Sequence, residues 1–145
     1  MGSRSAIELL QLPVRLRGIR LGRPVDLLLD ADEWRALGFV VLCGDESLRF
    51  LVFATADVEA DAIEVPSALL LFEDLDFYRE RSRSLRGLLG GDVVTGPEAL
   101  GKLHDLTLAP GGVVETLVVA DADIVRDVHP DGLSVMAAQV SPARG

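Results

Sequence analysis

Residues 84–94 read SLRGLLGGDVV and residues 15–25 read RLRGIRLGRPV, so the chain says nearly the same thing twice, 69 positions apart. Working outward, Leu37-Gly38 is answered by Leu100-Gly101 at a spacing of 63, and Ala56-Asp57 by Ala122-Asp123 at 66. The order is kept while the spacing drifts, as expected when loops change length between two copies of one unit. On this alignment the first copy carries six extra residues around DADEWR (30–35), and the second carries three more in its hairpin turn.

The content of each copy reads as β. LGFVVLC (37–43) is too short for a helix and rich in β-branched and aromatic residues, and after the turn GDES comes LRFLVFA (48–54); together they read as a hairpin. In the second copy LGKLHDLTL (100–108) alternates Leu103, Leu106 and Leu108 with polar neighbours, APGG makes a turn, and VVETLVVA (113–120) returns. Pro110 presets φ there and Gly111-Gly112 tolerate φ > 0. ATADVEADAIEV (54–65) and ADADIVRDVHPDGLSV (120–135) read as a short closing hairpin in each copy, the second turned by HPDG. Between the copies, LFEDLDFYRERSRSL (71–85) sets Leu71, Phe72, Leu75, Tyr78 and Ser82 on one helical face, acids early and arginines late. That is a connecting helix of two to three turns.

The expected fold is therefore mainly all-β: an N-terminal extension over 1–14, a first repeat over 15–72, a linker helix over 73–84, a second repeat over 85–138, and a tail over 139–145.

Almost half of the 145 residues are apolar, ample for a core, yet no apolar run approaches the roughly 18 residues that span a bilayer. MGSRSAIELLQL lacks the apolar stretch and cleavage site of a signal peptide. The single cysteine, Cys43, suits a reducing compartment and reads as a small buried hydrophobe. The expectation is a cytoplasmic protein. The net charge of −9 is uneven. Residues 1–23 hold Arg4, Arg15, Arg17, Arg20 and Arg23 against Glu8 alone, whereas residues 87–145 hold three bases against eight acids. Such an acidic chain repels nucleic acid over long range, although a local basic face could still bind it.

Gly18 to Asp26 (a Gly-x-x-x-Gly-x-Pro-Val-Asp strand), Leu-Gly-Phe-Val-Val, and then Arg-Phe-Leu-Val-Phe-Ala together carry a resemblance. The chain resembles the PRC-barrel domain family, which includes the cytoplasmic domain of the photosynthetic reaction centre H subunit and the C-terminal domain of the ribosome maturation factor RimM. The resemblance covers roughly 15–72 and, more weakly, 84–138. It implies two small PRC-barrel-like β-barrels joined by a short helix, and an adaptor in a larger assembly rather than a catalyst, with no catalytic residue and no cofactor. Gly18, Gly22, Gly38, Gly87 and Gly101 are its structural glycines. Because small β units bury little apolar surface alone, a homodimer is also expected.

The motifs that would carry chemistry each have a plainer reading. GPEALGKL (96–103) fits G-x-x-x-x-G-K of a phosphate-binding loop, but Leu103 stands where Ser or Thr should hold Mg²⁺, and the stretch alternates like a strand. His104-Asp105 would point to opposite faces of a strand, and His129 sits in a turn before Pro130. Asp30/Asp32/Glu33 and Asp121/Asp123/Asp127 lack the glycine and distal glutamate of a calcium loop. The candidate partner contacts are Trp34, the sole tryptophan, Tyr78, and the strip Arg79, Arg81 and Arg83; Arg17 and Arg86, equivalent on this alignment, read as structural. The leading expectation is a non-enzymatic scaffold for protein–protein interaction. The alternative is an RNA- or ribosome-associated factor using an arginine-rich face.

Overall fold

The computed structural model describes residues 2–136; the expected tail lies outside them. A short strand β1 (Arg4–Ser5) and a single helical turn α1 (Ala6–Leu9) open the chain. Then come β2 (Val14–Leu16), β3 (Ile19–Asp30), β4 (Arg35–Cys43), β5 (Leu48–Val52), β6 (Asp57–Val58), β7 (Ile63–Glu64) and β8 (Leu71–Phe72). The connection holds α2 (Leu75–Arg79), β9 (Arg83–Ser84) and α3 (Leu85–Leu88). The rest of the chain forms β10 (Asp92–Thr95), β11 (Glu98–Leu108), β12 (Val114–Asp121), β13 (Ile124–Val128) and β14 (Ser134–Val135). Among the described residues the strands form two sheets. One has the order β6-β7-β2-β3-β4-β5-β8 with β9 also on β3; the other has β13-β12-β11-β10-β14 with β1 also on β11. The chain is mainly β, as its composition and alternation predict, and both expected hairpins, β4–β5 and β11–β12, are present. No helix among the described residues is long and apolar enough to cross a membrane.

The two halves do match, but at a spacing of 79 rather than 69. Arg4-Ser5 corresponds to Arg83-Ser84, Val14 to Val93, Gly22 to Gly101 and Asp26 to Asp105. Val14 pairs with Gly22 and Val93 with Gly101, and in both hairpins the register slips at the next residue, Arg15 or Val94. The repeated Arg-Gly misleads because it serves two purposes. Arg17 and Gly18 make the β2–β3 turn, at φ 51° and 82°, while Arg86-Gly87 lie in α3. Leu100-Gly101 likewise belongs to β11, the counterpart of β3 and not of β4. At Gly22 an added Cβ would collide with the Leu42 carbonyl oxygen, and at Gly101 it would lie 2.6 Å from that of Ala120. Close approach of the facing strand therefore holds this pair of glycines.

The true alignment exposes an exchange. Residues 4–9, expected to be an extension, are the counterpart of residues 83–88, and each segment docks on the other unit. β1 pairs with β11 of the second unit, and β9 pairs with β3 of the first. The Ser5 hydroxyl donates to Asp105, whose other oxygen accepts from the Ile7 amide at 3.1 Å. The Ser84 hydroxyl donates to Asp26, whose other oxygen accepts from the Arg86 amide at 3.1 Å. Each serine oxygen also caps its own helical turn, accepting from Glu8 N or Gly87 N at 3.2 Å. The linker helix is accordingly much shorter than the spacing predicts. Ser82 donates to the Tyr78 carbonyl at 2.7 Å, and the backbone must then extend to pair with β3.

Behind the exchange lies one core. Leu27, Leu29, Phe39, Val41 and Leu51 of the first sheet join Leu103, Leu106, Val114, Leu117 and Val119 of the second, with Leu9 and Leu88 from the exchanged turns. A second cluster lies on the other face of the first sheet, where Leu28, Val40 and Phe50 are covered by Leu75 and Tyr78. Burial on both faces is why β4 reads as an unbroken apolar run, and burial on one face is why β11 reads as an alternation. The closing hairpin expected in the first unit is present as β6–β7, but the one expected in the second is not: β13 pairs with β12, whereas β14 crosses to β10. The sharp turns Glu46 and Ala122, at φ 68° and 55°, are the equivalent points of the two units.

Removing either carboxylate leaves a backbone amide and a serine hydroxyl unpaired. Asp26→Ala and Asp105→Ala should each destabilise the chain by about 1–3 kcal/mol in urea unfolding. Leu88→Ala should cost about 2–5 kcal/mol.

Candidate functional site

The expected contact residues fall into different environments. Trp34 is not a surface anchor. It sits at φ 54° in the β3–β4 turn, is 6% exposed, and donates from Nε1 to the Leu133 carbonyl at 3.3 Å. Its own carbonyl accepts from Val114 N at 2.8 Å, and Gly112 accepts from Ala36 N at 2.7 Å, so the turn that carries Trp34 joins the two units. Tucking the indole over the core satisfies both its apolar body and its N–H.

Tyr78 is half-buried and stacks on Phe50 with ring centroids 3.9 Å apart, which fixes α2 to the outer face of the first sheet. Arg79 is exposed. Arg81 donates to the Phe77 carbonyl at 2.7 Å and holds its guanidinium 3.8 Å from the centre of the Phe77 ring. Arg83 belongs to β9 and donates to the Val135 carbonyl at 3.5 Å, a role in the exchange. Phe77, 45% exposed, was missed in the sequence, although its i,i+4 spacing to Arg81 is a readable signal. With Phe72, Glu73, Asp74 and Tyr78 it lines an open groove of about 500 Å³.

Other glycines have local causes: Gly38 admits the Leu51 carbonyl, and Gly87 has only Ser84 nearby. The Gly-x-x-x-x-Gly-Lys stretch is a hairpin, with Gly96 in the turn at φ 58° and Lys102 paired with Asp92 at 2.6 Å. Asp30 accepts from Asp32 N and Glu33 N and so closes its own turn. His104 is exposed on β11, and His129 lies 3.6 Å from the equally exposed Asp131.

A charged row crosses the edge of the first sheet. Arg20 is the register partner of Arg15, Arg15 of Glu64, and Glu64 of Asp57. The adjacent row, Gly22, Val14, Ile63 and Val58, turns toward the core, so the charged row faces solvent. No ion pair within 4 Å links its members. A hydrogen bond with Asp57 and its negative charge, then slight desolvation, Glu64 and Asp61, push the Glu59 carboxyl above its usual range. A cavity of about 310 Å³ at the seam of the units is lined by Arg4, Leu9, Phe53, Asp57, Leu108 and Pro110. Arg4 is engaged there with the Glu59 carbonyl at 3.1 Å.

Cys43, expected to be buried, is half-buried, and that partial burial raises its thiol pKa, with Arg49 opposing in part. The thiol form is thus retained at neutral pH, and the thiolate is the reactive species. Iodoacetamide should alkylate native Cys43 at pH 8 more slowly than the unfolded chain, and the gap should narrow as pH rises.

No family model matches the chain, and no curated protein matches it significantly.

Proposed function

We propose that the chain is a non-enzymatic adaptor of PRC-barrel type that presents α2 to a protein partner. The observation that carries this reading is Phe77, an aromatic ring held out to solvent with a guanidinium laid across it. Aromatic and arginine side chains dominate the energetic centres of protein interfaces. Their cost on binding is small when they are already ordered. Here Tyr78 anchors the helix through its stack on Phe50, and Arg81 is fixed to the Phe77 carbonyl, so the surface is prepared before any partner arrives. Arg79 extends it.

A role with RNA or the ribosome would rest on Arg15, Arg17, Arg20 and Arg23 instead. It is the weaker reading, because Glu64 and Asp57 lie on β7 and β6, one and two strands beyond β2, about 5 and 10 Å from Arg15 across the sheet. A polyanion there would meet the repulsion of these carboxylates at about a Debye length or less.

Affinity capture from the native cytoplasm with the tagged chain tests the choice. A discrete protein that survives a high-salt wash and is lost with Phe77→Ala, but kept with Arg17→Ala, is expected. Recovery of RNA that elutes with salt and depends on Arg17 and Arg20 would reverse it.

A further inference from the structure

The row Arg20, Arg15, Glu64, Asp57 has a property that its residues singly lack. Read across β3, β2, β7 and β6 it runs plus, plus, minus, minus, over about 14 Å at the usual strand spacing. Like charges directly opposite each other destabilise a strand pair, and the row contains two such pairs, Arg15 with Arg20 and Asp57 with Glu64. The fold does not require them. In the second unit the same positions after the same register slip are Val94 and Ala99, paired with each other, and Val94 pairs on with Ser134. That row is uncharged. One half of the molecule therefore builds this hairpin without charge, while the other half tolerates two repulsive pairs in it.

We propose that this charged row is a contact between two copies of the chain, related by a two-fold axis along the strands. A two-fold interface sets each patch against itself, so the surface must be self-complementary. Turned over, plus-plus-minus-minus lies on minus-minus-plus-plus. Arg20 and Arg15 of one copy then face Asp57 and Glu64 of the other, and both repulsive pairs are neutralised at once. An acidic protein or a nucleic acid would satisfy only the arginine half of the row and would be repelled by the other half. A second copy satisfies both.

Sedimentation equilibrium of the full chain tests this. Dimers are expected at low salt, with the dissociation constant rising about tenfold or more between about 50 and 500 mM NaCl. Arg15→Val with Arg20→Ala gives the β2–β3 hairpin the pair that the second unit carries there. It should leave the thermal unfolding seen by circular dichroism intact and yield monomers. Arg15→Glu with Arg20→Glu should also be monomeric, as should Asp57→Lys with Glu64→Lys, and mixing these two variants should restore a dimer made of one of each. A wild-type monomer at low salt, a dimer indifferent to salt, a dimer that survives Arg15→Val with Arg20→Ala, or a charge-reversed mixture that stays monomeric would each overturn the assignment. If that wild-type monomer bound oligouridylate or polyglutamate, the arginines would be reassigned to such a partner.

Discussion

Two carboxylates hold the two halves of this molecule together, each reaching into the other half. Asp26 takes Ser84 and the Arg86 amide, and Asp105 takes Ser5 and the Ile7 amide. Each also accepts from the amide that follows it, Leu27 at 2.8 Å and Leu106 at 2.7 Å. A carboxylate hydrogen-bonded in this way is fixed in direction, and charge-assisted bonds are the stronger kind. With the serine capping a helical turn at the same time, the strand, the turn and the leucines behind it are positioned as one piece. The shared core follows: Leu9 and Leu88 enter it only because α1 and α3 have been handed across.

The exchange also explains why a chain of matched units forms one body. A unit of about half this 145-residue chain keeps too much apolar surface exposed to be comfortable alone. By trading their opening segments the units cover each other's sheets, and their turns add a second join through Trp34 and Gly112. Having met the same structural demands, the units are free to differ outside the core. The first wraps α2 over its outer face and carries the charged row. The second leaves Ile124 and Val125 of β13 exposed and has an uncharged row. Such differences are where a function can be sought, because the fold has been built twice and only once with these features.

Much of the fold was legible in the chain. Continuous apolar runs marked the strand buried on both faces, alternation marked the strand buried on one, and Gly-Asp, Pro-Gly-Gly and Pro-Asp-Gly marked the turns. The register of the repeat was misread because Arg-Gly recurs by coincidence at a tight turn and in a helix. The less conspicuous Arg-Ser and Gly-x-x-x-Asp carry the real correspondence through a serine cap, a close backbone approach and a carboxylate acceptor. The candidate site was legible in part. Tyr78 and the arginines near it were picked out, Phe77 was passed over, and Trp34 proved to be interior.

The sequence by itself determined the β character, the duplication and the hairpins, because periodicity and turn chemistry act between residues close along the chain. Only the tertiary structure decided which copy each opening segment serves, that Trp34 faces the core, and that Arg20, Arg15, Glu64 and Asp57 stand in one line. Those outcomes depend on pairing between residues tens of positions apart. A strand's own sequence tells which residues share a face, but not which strand will lie beside it.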